Sequence, residues 1–420
     1  MLKKIKGTQD ISFDELKYWY FIEKAIKKVT NLFCFKEIRT PMFEATELFR
    51  RSVGEATDVV QKEMYTFEDK GKRSITLRPE GTAPVARAFV ENGFVNYGLP
   101  LKLYYIGSMF RYEKPQAGRL REFHQFGAEI IGSKDFLADF EIIELAINFL
   151  DELRINDYKI YINSIGCKKC RMDYIEALKN YYADKKDQLC EDCKKRYDQN
   201  ILRLLDCKED KEISKDAPSI LDYLCDECKN DFDDLKKLLE SRNIEFSVDK
   251  NLVRGLDYYS KTAFEFRSDR LGAQDQILGG GRYDGLIDYI GNKSVPAVGF
   301  ACGIERIIIL LKELEYDIEF DSNPKVAILP FESPQAFNKA FEYAERLRRR
   351  NIETYVDVVN RSMKNKLKHA NRIGVKLSVI IGEDELSNNI LSIKEMKAGT
   401  QFNVEESWMD HIIENKLNKI

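Results

Sequence analysis

The sequence predicts an α/β protein: an antiparallel sheet flanked by helices over residues 1–323, a helical cysteine-rich insertion at about 167–234, and a small α/β domain over 324–420. Three observations lead there. Strand-like runs follow one another before residue 300 without a helix between each pair, which is the pattern of an antiparallel sheet. Seven of the nine cysteines lie in one Lys-, Asp- and Tyr-rich stretch, residues 167–228, whose periodicity is helical. From Lys325 onward strand and helix patterns alternate, as in a largely parallel sheet.

Taken in order, Leu16, Trp19, Ile22, Ile26, Val29 and Phe33 recur at helical spacing behind Ser12, and Glu15 stands where a capping box needs it, so a long amphipathic helix opens the chain. Strands are expected at 101–110, 123–131, 159–163, 262–266 and 276–278, separated by polar or glycine-rich breaks. The insertion interrupts the sheet-forming halves. Residues 321–324 (DSNP) read as a linker. Beyond it come a strand at 325–331, a helix at 334–350, a strand at 351–357, a helix at 362–372 and a strand at 376–382.

Composition bounds the function. At 420 residues the chain is too long for one ordinary core, and two or three domains are expected. Lys+Arg at 67 against Asp+Glu at 70 excludes a wholly basic nucleic-acid binder, so a polyanion would have to meet local patches. No uncharged apolar run approaches the roughly 18–20 residues of a membrane span, and the N-terminus lacks a signal peptide's apolar stretch. A soluble, cytoplasmic protein without a membrane partner is expected.

Five segments carry chemistry. In YYIGSMFRYEKPQAGRLREFHQFGAEIIG, residues 104–132, alternation on strands puts Arg111 and Glu113 on one face, and Phe123, Gln125 and Glu129 on one face. The loop between adds Lys114, Arg119 and Arg121. Arginine suits phosphate oxygens, because its planar fork donates paired hydrogen bonds and keeps its charge; a hairpin with a solvated charged tip is the plainer reading. LRPEGTAP, residues 77–84, could aim Glu80 and Thr82 at an ammonium group, or could simply be a turn with a helix cap. LVRGLDYY sets Arg254 beside a glycine ahead of Tyr258 and Tyr259. GGGRYD, ending in Tyr283 and Asp284, lets a ligand approach the main chain closely. AVGFACGIERIIILL runs a small-residue strand into a helix with Arg306 in its first turn.

In this order the segments resemble the three signature motifs of class II aminoacyl-tRNA synthetases, at residues 35–41, 104–129 and 299–306. LVRGLDYY and GGGRYDGL are similar to two peptides particular to the histidyl-tRNA synthetase family, and the resemblance runs from Lys6 to about Glu405. It implies ATP-dependent, AMP-forming activation of L-histidine and transfer to the 3′ end of tRNA(His), a homodimer built on the first motif, and Mg²⁺ on the phosphates. Arg111 would hold the α-phosphate with Arg254 opposite, as the catalytic pair. Glu113 and Phe123 would bind adenine, and Arg119 and Arg306 would complete the ATP site. Glu80, Thr82, Gln125, Glu129, Arg254, Tyr258, Tyr259 and Tyr283 would bind histidine, with Glu129 and Tyr259 at the imidazole nitrogens. An imidazole offers one donor and one acceptor, and a site that satisfies both discriminates strongly.

A non-catalytic regulatory paralogue of ATP phosphoribosyltransferase is the alternative, but it lacks the C-terminal domain and several site residues, whereas this chain keeps Arg111, Arg254 and Arg306. A class II synthetase for another amino acid would share the ATP residues but not LVRGLDYY. Residues 325–420 carry 16 basic and 13 acidic side chains, and 346–372 carry nine basic against two acidic, a patch suited to a phosphate backbone. VDVVNRSMKNKLKHANRIGVKLSVIIGEDEL resembles the family's anticodon-binding domain.

The cysteines form three C-x-x-C pairs, Cys167/Cys170, Cys190/Cys193 and Cys225/Cys228. Without a secretory signal they read as reduced thiols or a metal site rather than disulfides. Four of the six could hold a structural Zn²⁺. The spacing of the first two pairs fits two zinc knuckles.

Overall fold

The apolar recurrence behind Ser12 folds as the helix Phe13–Leu32, which buries Trp19, Ile22, Ile26 and Val29 along one stripe. Ser12 stands at the N-cap, but its side chain makes no capping bond, so the expected box with Glu15 does not form. The backbone closes the turn instead, Glu15 N donating to Ser12 O at 2.9 Å. Asp14 and Glu15 still set negative charge against the helix N-terminus.

The structure, a computed structural model, describes residues 2–55, 57–207, 209–291, 293–316, 318 and 323–418. It divides into two compact units, Met1–Ile318 and Glu319–Ile420. Of the expected linker, Asp321 and Ser322 lie outside the described residues.

In the first unit an eight-stranded sheet runs in the order Lys36–Glu37, Leu101–Phe110, Glu122–Ile131, Ala297–Gly303, Gln276–Arg282, Ser260–Arg267, Lys159–Ser164, Ser247–Val248. The two edge strands pair parallel and every inner pairing is antiparallel. Alternation assigns the faces. Phe126, Ala128 and Ile130 enter a core with the helices Phe13–Leu32, Phe136–Glu152 and Ile304–Glu313. Tyr105, Phe123, Ile131 and Ala263 turn to the other face, beneath the helices Thr82–Glu91 and Leu286–Gly291. Burying each large apolar side chain stabilises the fold by roughly 1.5–3 kcal/mol, so the faces cannot exchange by a register slip.

The strand expected to end at 278 continues through the glycines to Arg282. Gly280 pairs with Phe300 on one side and Phe264 on the other, and a Cβ there would stand 2.7 Å from Phe300 Cα. The glycines therefore make a flat strand, not a loop. Arg282, at its end, is buried and bonds Ser133 O at 2.7 Å, Asp135 O at 2.9 Å and the buried Asp139 carboxylate, fastening the strand to the helix Phe136–Glu152.

The insertion contains the helices Lys168–Ala183, Glu191–Gln199 and Asp226–Ser241 and a small core of its own around Tyr174, Leu178, Tyr182 and Leu204. Its last helix gives Phe232, Leu235 and Leu239 to the main core.

The second unit has a sheet in the order Thr354–Val356, Val326–Pro330, Leu377–Ile381, Ile390–Glu395, Gln401–Glu405. The first two pairings are parallel and the last two antiparallel, so the sheet is mixed rather than largely parallel. The short helix Glu383–Asn388 cannot span a crossover, and Asn389, at φ 54°, turns the chain back alongside its neighbour. No described helix of either unit is long and apolar enough to cross a membrane.

Candidate active site and thiol clusters

The sheet face under the helix Thr82–Glu91 gathers two groups of side chains. At its buried end Glu129, 1% exposed, accepts from Tyr283 Oη at 2.6 Å and from Thr82 Oγ1 at 2.9 Å. Burial pushes its carboxyl up to about 8, against the pull of those two donors, and Glu80 nearby adds to the rise. The Glu129 carboxylate occupies the space a Cβ at Gly299 would take, which is why a glycine strand lies beside it. The Tyr258 ring lies tilted at 4.7 Å from Tyr259 and edge-to-face at 5.7 Å from Tyr283, forming one wall.

Glu80 caps the helix behind the site: its carboxylate accepts from Thr82 N at 2.7 Å and Ala83 N at 2.9 Å, while burial raises its pKa. The plainer reading of LRPEGTAP, a turn with a cap, is thus present in the structure. Glu80 still faces inward, with Tyr258 Oη 3.5 Å away. Gln125 Oε1 is buried without a hydrogen-bond partner among the described residues, an orphan acceptor on the site face.

Arg254 lies over Gly279, where a Cβ would stand 2.6 Å from its Nη1. It donates to Glu265, whose other oxygen is held by Arg267, and its guanidinium is 5.4 Å from the centre of the Tyr259 ring. Its Nε has no partner among the described residues.

The second group is cationic. Arg111 and Glu113 lie beyond the strand, which ends at Phe110, so strand alternation does not set their direction. Tyr112 N donates to Glu63 O at 2.7 Å, drawing the chain away from its sheet partner. They meet all the same: Arg111 lies 5.5 Å over the Phe123 ring, donates to Pro79 O at 2.9 Å, and is 3.7 Å from the Glu113 carboxylate, which Arg119 approaches at 3.2 Å. Arg306, in the first turn of its helix as expected, donates to Gln276 O at 3.0 Å and Gly118 O at 3.3 Å. Burial lowers its pKa, and Arg119 and Arg111 lower it further. Three guanidiniums pressed together around Glu113 form a site that anionic oxygens would relieve.

Several neighbours were not singled out in the sequence. Tyr105 is buried beneath the site, and its ring fills the space that Cβ atoms at Gly81 and Gly127 would need. Glu265 positions Arg254, and Arg78 ties the strand Leu101–Phe110 to Thr40 O at 2.9 Å. Gly127, opposite Tyr105 across the sheet, was the available signal for that ring; the partners of the arginines left none.

The cysteines form two groups, not the pairing their spacing suggested. Cys167, Cys170, Cys225 and Cys228 have sulfurs within 4.8 Å of one another, and Cys190 and Cys193 are absent from that group, joining Cys207 and Asp210 instead. The helix Lys168–Ala183 intervenes between Cys170 and Cys190, whereas Cys167 and Cys225 each precede a helix whose first turn carries the second thiol of its pair. Sγ separations of 3.5 Å and 4.0 Å match the edge of a tetrahedron with arms of ~2.3 Å, about 3.8 Å, and are far too long for disulfides.

Comparison with known proteins agrees with this geometry. A family profile described as histidyl-tRNA synthetase matches residues 7–307, and one described as anticodon binding domain matches residues 325–416. The chain is 53% identical over 409 residues to a histidine–tRNA ligase of Thermosipho melanesiensis, covering 97% of each chain. It is 50% identical over 417 residues to a histidine–tRNA ligase of Thermotoga maritima, covering 99% of each. The crystal structure of apo S. aureus histidyl-tRNA synthetase superposes with a TM-score of 0.83 at 35% identity, over 98% of this chain and 100% of that one.

Proposed function

The chain belongs to the histidyl-tRNA synthetase family and is a histidine–tRNA ligase; from that premise we propose how its residues divide the work. The regulatory paralogue is not favoured, since the ligases match nearly the whole chain, C-terminal unit included.

In activation the carboxylate of L-histidine attacks the α-phosphorus of ATP; the new C–O–P linkage forms as the bond to the β-phosphate oxygen breaks, and pyrophosphate leaves. Charge grows on the α-phosphate and the leaving group, where fixed guanidiniums lower the barrier most. Arg111, parked over Phe123, and Arg254, held by Glu265, are assigned to the α-phosphate from opposite sides. Arg119 and Arg306 hold the outer phosphates, and Phe123 and Glu113 take adenine. In transfer, a ribose hydroxyl at the 3′ end of tRNA(His) attacks the carbonyl and AMP departs.

Histidine sits at the buried end. Glu129 and Tyr259 meet the ring nitrogens, Tyr258 and Tyr283 wall the ring, and Glu80, Thr82 and Gln125 take the α-amino group. The observation that carries this reading is the orphan Gln125 Oε1 on the same strand face as the buried Glu129. Mg²⁺, which the class uses with ATP, would be held chiefly by phosphate oxygens, because Glu113 and Glu265 already face arginines.

Residues 1–323 are assigned as the catalytic domain and 324–420 as the anticodon-binding domain. On the helix Met363–Arg372, Lys364, Lys368 and Arg372 are exposed four residues apart, one face for a phosphate backbone. A homodimer through the first motif is supported by Met42 and Phe43, 54% and 56% exposed beside it. A structural Zn²⁺ is assigned to Cys167, Cys170, Cys225 and Cys228.

Pyrophosphate exchange into ATP, run with each proteinogenic amino acid and followed by charging of total tRNA, tests the assignment. Exchange with histidine alone and charging of one tRNA are expected. Exchange with another amino acid would overturn the pocket assignment.

A further inference from the structure

Cys190, Cys193, Cys207 and Asp210 form a group as tight as the four-thiol one, their ligand atoms all within 4.8 Å of one another. In sequence the set is C-x-x-C followed by C-x-x-D, so the carboxylate stands where a second pair would carry its last thiol. Cys190 is the N-cap of the helix Glu191–Gln199, and its sulfur accepts from Cys193 N at 3.5 Å, the same placement that Cys167 and Cys225 have ahead of their helices. The Sγ atoms of Cys190 and Cys207 are 3.8 Å apart, the edge of a tetrahedron with arms of ~2.3 Å. Asp210 is buried and has no salt-bridge partner among the described residues; it accepts from Cys190 N at 3.1 Å to each oxygen, and the thiols of Cys190, Cys193 and Cys207 point their hydrogens at it. Once those thiols ionise, three thiolates beside a buried carboxylate are costly unless a cation neutralises the set.

We propose that this group is a second metal site, which takes a thiophilic divalent ion, zinc first, through three thiolates and one carboxylate. Binding releases the three thiol protons to solvent, and no electron moves. The four-thiol group joins the two ends of the insertion, whereas this one closes the segment between them. That segment carries Arg196, which donates to Asp58 Oδ2 at 2.6 Å, and Asn200, which donates to Asp257 Oδ1 at 2.7 Å. Asp257 lies three residues beyond Arg254. The ion thus braces the peptide that presents Arg254, a consequence that rests on the active-site reading above; the metal content does not.

Elemental analysis of the purified full-length chain tests the site directly. Two zinc ions per chain are expected, falling to one in Cys207→Ala and in Asp210→Ala, and separately to one in Cys225→Ala. One ion per chain that persists in Cys207→Ala overturns the proposal, as does a metal-free wild type. Should Cys207→Ala not fold, Co²⁺ titration of the stripped wild type decides: thiolate-to-cobalt absorption rising to two equivalents supports the second site, and saturation at one rejects it. In Cys207→Ala with its remaining ion, the KM for histidine should rise several-fold. An unchanged KM with one ion lost would keep the site and discard the bracing role.

Discussion

Tyr283 Oη donates to Glu129 Oε2 at 2.6 Å across the buried end of the site, and it does so from the residue that follows the glycine strand. The bond pulls the carboxyl down against burial, which still leaves its pKa at about 8. Its sign for stability follows. The folded state keeps the Glu129 proton that the unfolded chain gives up above the ordinary value of 4.5, so this group costs stability as pH rises from about 4.5 to about 8. Glu129→Gln removes that cost, and the ligand-free protein should lose less stability across the window, by up to about 1.4 kcal/mol per pH unit. Denaturant melts at several pH values measure it. The same variant should lose about a hundredfold in kcat/KM for histidine, because an amide has one acceptor oxygen where Tyr283, Thr82 and the ring N–H draw on two, and its NH2 faces one of those donors.

Gly279 is small because Arg254 lies on it. A methyl there would stand 2.6 Å from Arg254 Nη1 and 2.6 Å from Gln276 Nε2, both far ends of flexible side chains, so the backbone need not move. Gly279→Ala should therefore keep its melting temperature within a few degrees while pyrophosphate exchange falls at least about tenfold, since a misplacement of an ångström costs catalysis that much or more. Loss of the fold instead would mean that the strand, not the arginine, requires the glycine.

How much of this was legible follows from what kind of signal each residue leaves. The helix Phe13–Leu32 and the strand Glu122–Ile131 were readable because burial on one face imposes a period. The side-chain faces of Phe123, Gln125 and Glu129 followed from the same rule. Arg111 and Glu113 lay past the strand end, where the bond from Tyr112 N to Glu63 O, a long-range partner, decides the path. Cysteine spacing showed that thiols would cluster but not which, since Cys225 reaches Cys167 only once the helices between them have packed. The glycine run misled for the opposite reason: the strand was expected to end at 278, before the glycines, while the need was for missing side chains on a paired strand that runs on to Arg282.

Arg282 and Asp139 are both buried, and the guanidinium also satisfies Ser133 O and Asp135 O. Removing one partner strands the other's charge, so Arg282→Met should cost about 3–5 kcal/mol, measured by urea unfolding. Pairing it with Asp139→Leu should restore part of that loss, because Asp139 is no longer stranded, while Asp284, 3.2 Å from Arg282 Nη1, still loses its cation. If the double variant is as unstable as the single, the carbonyl bonds rather than the ion pair hold the helix to the sheet.

The charged run at 346–372 does less for nucleic acid than its count suggests. Arg346 and Arg350 pair with Asp410, Arg349 with Glu345, Arg361 with Asp357, and Lys366 is buried, donating to Pro330 O at 2.7 Å. What stays exposed and outside any ion pair among the described residues is the face bearing Lys364, Lys368 and Arg372, the last with His369 Nδ1 at 2.9 Å. Replacing all three by alanine should raise the KM for tRNA while leaving histidine-dependent pyrophosphate exchange unchanged, because the exchange reaction needs no tRNA. Each phosphate contact releases counterions, contributing about 0.7–0.9 to the slope of log affinity against log salt. A triple variant whose slope drops by about two has lost phosphate contacts; one with the wild-type slope places the tRNA on another surface of the unit.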